Sequence, residues 1–255
     1  MLKQDAFFIN FLRYIMRCLN KYRWVKLPRT QIPTGNSLLG NFIRLYASAA
    51  YRPGQAHYCQ YINEVRFGEW IGGIVGLKSI LGLSSREQAL SVLEDLSDWG
   101  LLEYDYNPKS KRLSYRILQT QHAAVPAQGV PIYAREQGFL CLPRTLTQPL
   151  IQAGYVFEET DAWLDLWIHT IYQDSDSPLS NIVPLVQFDG GPALTLEYLG
   201  KRWGWERTKV WRFFKKHTDT FFLFKLPEHE FRFLNHALDV PGHHVGRETL
   251  VHETA

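Results

Sequence analysis

One short phrase occurs twice in this chain, and its return restricts how the rest can be divided. Trp24-Val25-Lys26-Leu27-Pro28-Arg29-Thr30 is echoed about 115 residues later by Phe139-Leu140-Cys141-Leu142-Pro143-Arg144-Thr145. The segments after the two copies also match. Leu38, Leu39, Phe42, Ile43, Leu45 and Tyr46 recur at helical spacing after the first. Trp163, Leu164, Trp167, Ile168 and Ile171 do so after the second. Each of these helices is followed by a polar break, Arg52-Pro53-Gly54 in one case and residues 173–178 in the other. Elements in one order, met twice, predict two copies of a single module. The repeated Arg29 and Arg144 then predict one structural task performed twice, the anchoring of the helix that comes next.

The closing part of each copy has its own pattern. In the first, a helix is expected over 70–81, a turn at Gly82-Leu83-Ser84-Ser85, and a second helix with Ala89, Val92, Leu93 and Leu96 on one face. Ser85 can cap that helix, with Gln88 completing a capping box. Strands over 101–106 and 112–118 flank Asn107-Pro108-Lys109-Ser110-Lys111, which predicts a hairpin with a basic tip. In the second, Thr195 caps a helix through Leu199 and Trp203, and Gly204-Trp205-Glu206 makes the turn. Val210, Phe213, Phe214 and His217 mark the next helix, and strands come after it over 221–226 and 230–234. Helix, tight turn, helix and hairpin are the order of a winged helix-turn-helix.

A chain of 255 residues is long enough for two such modules. The expected fold class is α+β, mainly helical: two winged helix-turn-helix modules in tandem behind an N-terminal amphipathic helix. The expected bounds are 1–20 for that helix, 21–118 for the first module, 119–137 for a linker, 138–236 for the second module and 237–255 for a flexible tail. The linker is rich in Ala, Pro, Gln and Gly. Phe7, Phe8, Phe11, Leu12, Ile15 and Leu19 give the first helix an apolar stripe suited to a homodimer contact, or to packing on its own domain. No apolar run approaches the roughly 20 residues needed to cross a bilayer, and the first 20 residues do not read as a signal peptide. Cys18, Cys59 and Cys141 form no disulfide or metal-ligand spacing. A cytoplasmic protein, bacterial and associated with nucleoid or plasmid, is the expectation.

Two segments, Leu77–Tyr104 and Leu194–Phe224, resemble the DNA-binding winged helices of phage and plasmid replication initiators (replisome organisers) from Gram-positive bacteria. They also resemble small bacterial regulators. The likeness implies that residues opening the second helix of each turn enter the DNA groove while the hairpin flanks the backbone. Those positions here are Ser85, Arg86 and Gln88 in one copy and Arg207, Thr208, Lys209 and Arg212 in the other.

Charge separates the two copies. From Lys201 to Lys216 there are seven bases, Lys201, Arg202, Arg207, Lys209, Arg212, Lys215 and Lys216, against the single acid Glu206. Lys209, Arg212 and Lys216 lie at three- and four-residue spacing on one helix. Arginine suits a guanine edge, and lysine suits phosphate. In the first copy Arg86 stands against Glu87, Glu94, Asp95 and Asp98, and Lys109, Lys111 and Arg112 of the hairpin would carry the phosphate contacts.

Nothing points to chemistry. There is no phosphate-binding loop, no HExxH and no paired cysteines, so no catalytic, cofactor or metal residue is expected. Asp161, Asp165, Asp174 and Asp176 are more simply helix-start and loop residues than metal ligands. The expected function is sequence-specific binding of double-stranded DNA without catalysis, in replication initiation of a plasmid, phage or integrated element. A replisome or helicase-loading protein is then a further partner. The alternatives are transcriptional regulation of a mobile element and an adaptor that uses the acidic helix of the first copy with Trp203, Trp205 and Trp211 in protein contacts, although these aromatics suit a core equally well.

Overall fold

The computed structural model describes residues 23–58, 60–118, 138–172, 184–186, 188, 194–225, 227–235 and 237. The expected N-terminal helix, the linker 119–137, the tail beyond Ala237, Asp174 and Asp176 lie outside the described residues. The described chain forms two compact units, one spanning Trp24–Ile168 and the other beginning at His169.

In the first unit, β1 (Trp24–Pro28) leads into α1 (Leu38–Ser48), and β2 (Gly54–Tyr58) and β3 (Tyr61–Val65) form a separate ribbon. Next come β4 (Glu69–Gly72), α2 (Ile74–Leu81), α3 (Arg86–Asp98), β5 (Leu102–Asn107) and β6 (Arg112–Ile117), with strand order β4-β6-β5. β7 (Phe139–Pro143), α4 (Gln148–Gln152) and α5 (Glu159–Ile168) complete the unit. The second unit contains β8 (Thr170–Tyr172), β9 (Pro184–Val186), α6 (Leu196–Trp203), α7 (Arg207–Lys216), β10 (Phe221–Lys225) and β11 (Phe231–Asn235). Its strands are ordered β10-β11-β9-β8.

The expected architecture, a mainly helical tandem of winged modules behind an N-terminal helix, is corrected here. Among the described residues about 41% are helical and 29% lie in strands, and every sheet is small and antiparallel. Two local causes account for the extra strand. Trp70 does not start a helix: it lies in β4 and stacks on Tyr115 of β6 at 5.4 Å. Helix α2 begins only at Ile74, after the Gly72-Gly73 pair, where a Cβ on Gly72 would strike the Trp70 ring at 2.4 Å. The polar break after α1 is followed by the β2–β3 ribbon, whose alternation is hidden because Tyr61 and Ile62, on opposite faces of β3, are both exposed.

One pairing is long-range. The two copies of the repeated phrase pair with each other as antiparallel strands, Trp24 opposite Pro143 and Pro28 opposite Phe139. The ladder is centred on Lys26 and Cys141, which are equivalent positions of the repeat, so the pairing has local two-fold symmetry. Val25, Leu27, Leu140 and Leu142 are buried beneath it. The helices repeat the exchange. Tyr46 of α1 donates to the carbonyl of Cys141 at 3.3 Å, and Trp167 of α5 donates to the carbonyl of Lys26 at 3.0 Å. Each helix is thus tied to the other copy's strand. Arg29 donates to the Ala47 carbonyl in the last turn of α1. Arg144 does the same to the Ile168 carbonyl of α5 at 2.6 Å. Guanidinium donors satisfy the orphan carbonyls and oppose the negative end of the helix dipole, so each arginine secures the end of the helix that comes after it.

One carboxylate serves the opposite ends of these helices. Asp161 is fully buried and accepts from the Leu39 amide of α1 at 3.0 Å and from the Glu158 amide ahead of α5 at 3.0 Å. Tyr155 donates to it as well, at 3.3 Å. Asp165 accepts from the Thr147 hydroxyl at 2.7 Å. Both aspartates are structural, and no group of His, Cys, Asp and Glu suited to a metal occurs among the described residues.

Candidate nucleic-acid interface

The turn between α6 and α7 is set by three local features. Thr195 caps α6, accepting from the Tyr198 amide at 3.0 Å. Gly204 closes the helix in the left-handed region at φ 71°, which suits a residue without a Cβ. Gly200 lets the chain turn back closely, because a Cβ there would lie 2.5 Å from the Trp205 carbonyl oxygen. Beneath the turn Trp203 packs edge-on to Trp205 at 5.2 Å and to Phe213 at 5.6 Å. Trp203 and Trp205 are 0% and 7% exposed, so they are core rather than the interface aromatics an adaptor would need.

Burying Val210, Phe213 and Phe214 turns the opposite side of α7 to solvent. Arg207, Thr208, Trp211, Arg212, Lys215 and Lys216 are exposed there. Lys209 departs from the expected grouping: it is half-buried, with its Nζ 4.1 Å over the Trp205 ring. Lys201 is exposed on α6 rather than α7. Arg207 is 3.5 Å from Glu197, a pair with both side chains more than half exposed, and so of little energetic weight. The first turn of α7 contains no acid, and its N-cap Glu206 makes no side-chain cap bond. Placing Arg207 and Lys209 at the positive end of a helix opposes its dipole, a local cost that a bound anion would offset.

In the first unit the equivalent turn is also closed by a left-handed glycine, but its hydroxyl cap sits on the second helix. Ser85 accepts from the Gln88 amide at 3.3 Å and donates to Glu87 at 2.7 Å, and Gly82 closes α2 at φ 66°. The Ser85 hydroxyl, with Arg86 and Lys78 nearby, holds the Glu87 carboxyl below its ordinary range. Ser85 is therefore occupied in capping. Gln88 is exposed, and Arg86 lies 5.5 Å over the Tyr106 ring of β5. Around them the exposed face of α3 bears Glu87, Glu94, Asp95 and Asp98. At the hairpin tip Asn107 accepts from the Lys109 and Ser110 amides at 3.0 and 3.2 Å, and Lys111 takes φ 56°. Lys109 and Lys111 project into solvent, Arg112 is half-buried, and Arg116 is paired with Glu103 at 2.7 Å. Lys109, Lys111 and Arg112 thus lie on the hairpin, whereas on α3 Arg86 stands beside the acids.

Replacing Ser85 or Thr195 by alanine is expected to cost about 1 kcal/mol in each case. Urea unfolding of the two variants checks this; no change in midpoint would mean that the hydroxyls do not cap.

No family model, curated protein or solved structure matches this chain. No helix among the described residues is long and apolar enough to cross a membrane. Lys215, counted among the bases of this segment, and Trp211, considered only for protein contacts, both lie on the exposed side of α7 with the expected DNA-contact residues. Four-residue spacing, from Arg207 to Trp211 and from Trp211 to Lys215, is the signal that groups them with that row.

Proposed function

We propose that this chain binds a specific site in double-stranded DNA, without catalysis, chiefly through α7. The observation that carries this reading is the exposed row of Arg207, Thr208, Arg212, Lys215 and Lys216, opposite a face buried by Val210, Phe213 and Phe214. Its helix comes after a tight turn, is ten residues long, and is followed by a hairpin, so its first turns are presented rather than covered. Arginine and threonine near the start of such a helix supply base-edge contacts, and the lysines further along supply phosphate contacts. The hairpin bases Lys109, Lys111 and Arg112 of the first unit support a second, weaker phosphate contact. The acidic face of α3 argues against deep groove entry there.

Replication initiation of a plasmid, phage or integrated element is the cellular use we propose, with control of transcription in such an element as the second reading. A bacterial cytoplasmic setting goes with either. A helicase-loading partner belongs to the first alone.

The test is retention of random genomic fragments and of the DNA upstream of the gene, at two salt concentrations. A variant with Arg207, Lys209 and Arg212 all changed to alanine is run in parallel. The wild-type protein is expected to retain a discrete fragment and to lose affinity steeply as salt rises. The variant should lose that retention, with a log–log salt slope lower by about one for each phosphate contact removed. Equal binding by both proteins would refute the assignment to α7. The origin or promoter position of the retained fragment decides between the two cellular uses.

A further inference from the structure

The basic row on α7 contains one large apolar side chain. Trp211 is 38% exposed, whereas Trp203 and Trp205 are buried under the same turn. It stands one helical turn beyond Arg207 and Thr208 and one before Lys215, on the side of the helix nearer Phe231 of the hairpin. Its ring centroid lies 6.5 Å from that of Phe231, and the Lys215 Nζ lies 5.3 Å from it. The core does not require an indole here: Val210, Phe213 and Phe214 already fill the buried face. An exposed tryptophan between cations has no charge and a single N–H donor, so phosphate binding makes little use of it beside three neighbouring cations. It offers instead an apolar surface at the depth where arginine and threonine would meet base edges.

Resting on the DNA reading above, we infer that Trp211 is a specificity-determining residue that packs against the 5-methyl group of thymine in the major groove. The methyl group is the one apolar feature by which that groove marks a base pair. Its burial against the indole is worth about the transfer of one methylene, or roughly a fourfold change in affinity.

The experiment uses the full chain and the fragment retained in the genomic selection. The fragment is amplified once with thymine and once with uracil, which differs only in lacking that methyl. Wild-type protein is expected to bind the thymine form about fourfold or more tightly, and Trp211→Ala to bind both forms equally. Trp211→Gln, which keeps an extended side chain but loses the apolar face, should behave like the alanine variant. Because Trp211 is not a phosphate contact, both variants should keep the wild-type salt slope, which also shows that the helix is intact. The inference is overturned by a thymine preference as large in the variants as in the wild type, or by no preference in the wild type. A salt slope lowered by about one would also overturn it, making Trp211 a positioning residue for Lys215. So would an effect confined to single-stranded fragments, which would indicate stacking on an unpaired base. Failure of the wild type to retain any fragment would sink the DNA reading and this inference together. Retention with a Trp211-independent preference sinks this inference alone.

Discussion

Trp203→Ala is expected to lower the unfolding free energy of the second unit by about 3–5 kcal/mol. The indole is completely buried and is bounded by Trp205, Phe213 and Phe214 at ring distances of 5.2, 5.6 and 6.5 Å. Removing it therefore deletes apolar surface and leaves a void walled by rigid rings, which collapse poorly. A loss of that size is a large fraction of the roughly 5–15 kcal/mol that holds a typical domain folded. Urea denaturation followed by far-ultraviolet circular dichroism measures it. Trp211→Ala is the internal control: it lies on the next helix, is 38% exposed, and should cost clearly less, about 1–2 kcal/mol. A similar small loss for both variants would mean that the turn is not supported by this cluster.

Asp161→Ala is expected to cost the first unit about 3 kcal/mol near pH 4. The change strands the buried amides of Leu39 and Glu158, each of which carries an unmet desolvation cost of about 1–3 kcal/mol. The penalty depends on pH in a definite direction. Burial raises the Asp161 carboxyl above its ordinary 3.8, outweighing the opposing hydrogen bonds from Ser37, Glu158 and Leu39. A carboxyl with a raised folded pKa contributes stability that is fully present below its unfolded pKa and is lost as pH rises through the folded one. The wild type therefore loses stability across that window while the alanine variant does not, and the difference between them narrows toward neutral pH. Paired urea titrations at pH 4 and pH 7 check both size and sign. A gap that widens with pH would mean that the ionised form is the better stabilised.

What the sequence discloses here is mostly what is local. Ser85 caps α3 and Thr195 caps α6, and Gly82 and Gly204 close α2 and α6 in the left-handed region, because those tasks are set by residues within one turn. The basic row on α7 was legible for the same reason: helical spacing alone places Arg212 beside Thr208 and Lys216. Trp70 and the β2–β3 ribbon were not, since a strand is defined by its partner, and the partner of Trp70 lies 45 residues further on at Tyr115. For Trp203 and Trp205 the sequence left surface and core equally open; what decides for the core is α7, which covers them after a turn whose closeness depends on Gly200. Arg29 and Arg144 show the boundary well. Their recurrence announced a shared task, and each does secure its helix end, yet nothing within either phrase says that the two strands pair with each other.

That pairing has a consequence for the order in which the molecule can be built. Pro28 and Phe139 are partners in the first pair of the β1–β7 ladder, and Trp24 must wait for Pro143. On a ribosome adding about 5–20 residues per second, β1 would spend roughly 6–23 s outside the tunnel before its partner emerges. Throughout that interval its apolar side, Val25 and Leu27, has no strand to lie beside, whereas α2, α3 and the β5–β6 hairpin can form from residues already made. The nascent chain is thus most exposed to wrong pairing at β1, the earliest strand among the described residues, and a neighbouring nascent copy offers that strand the same Leu-Pro-Arg-Thr partner.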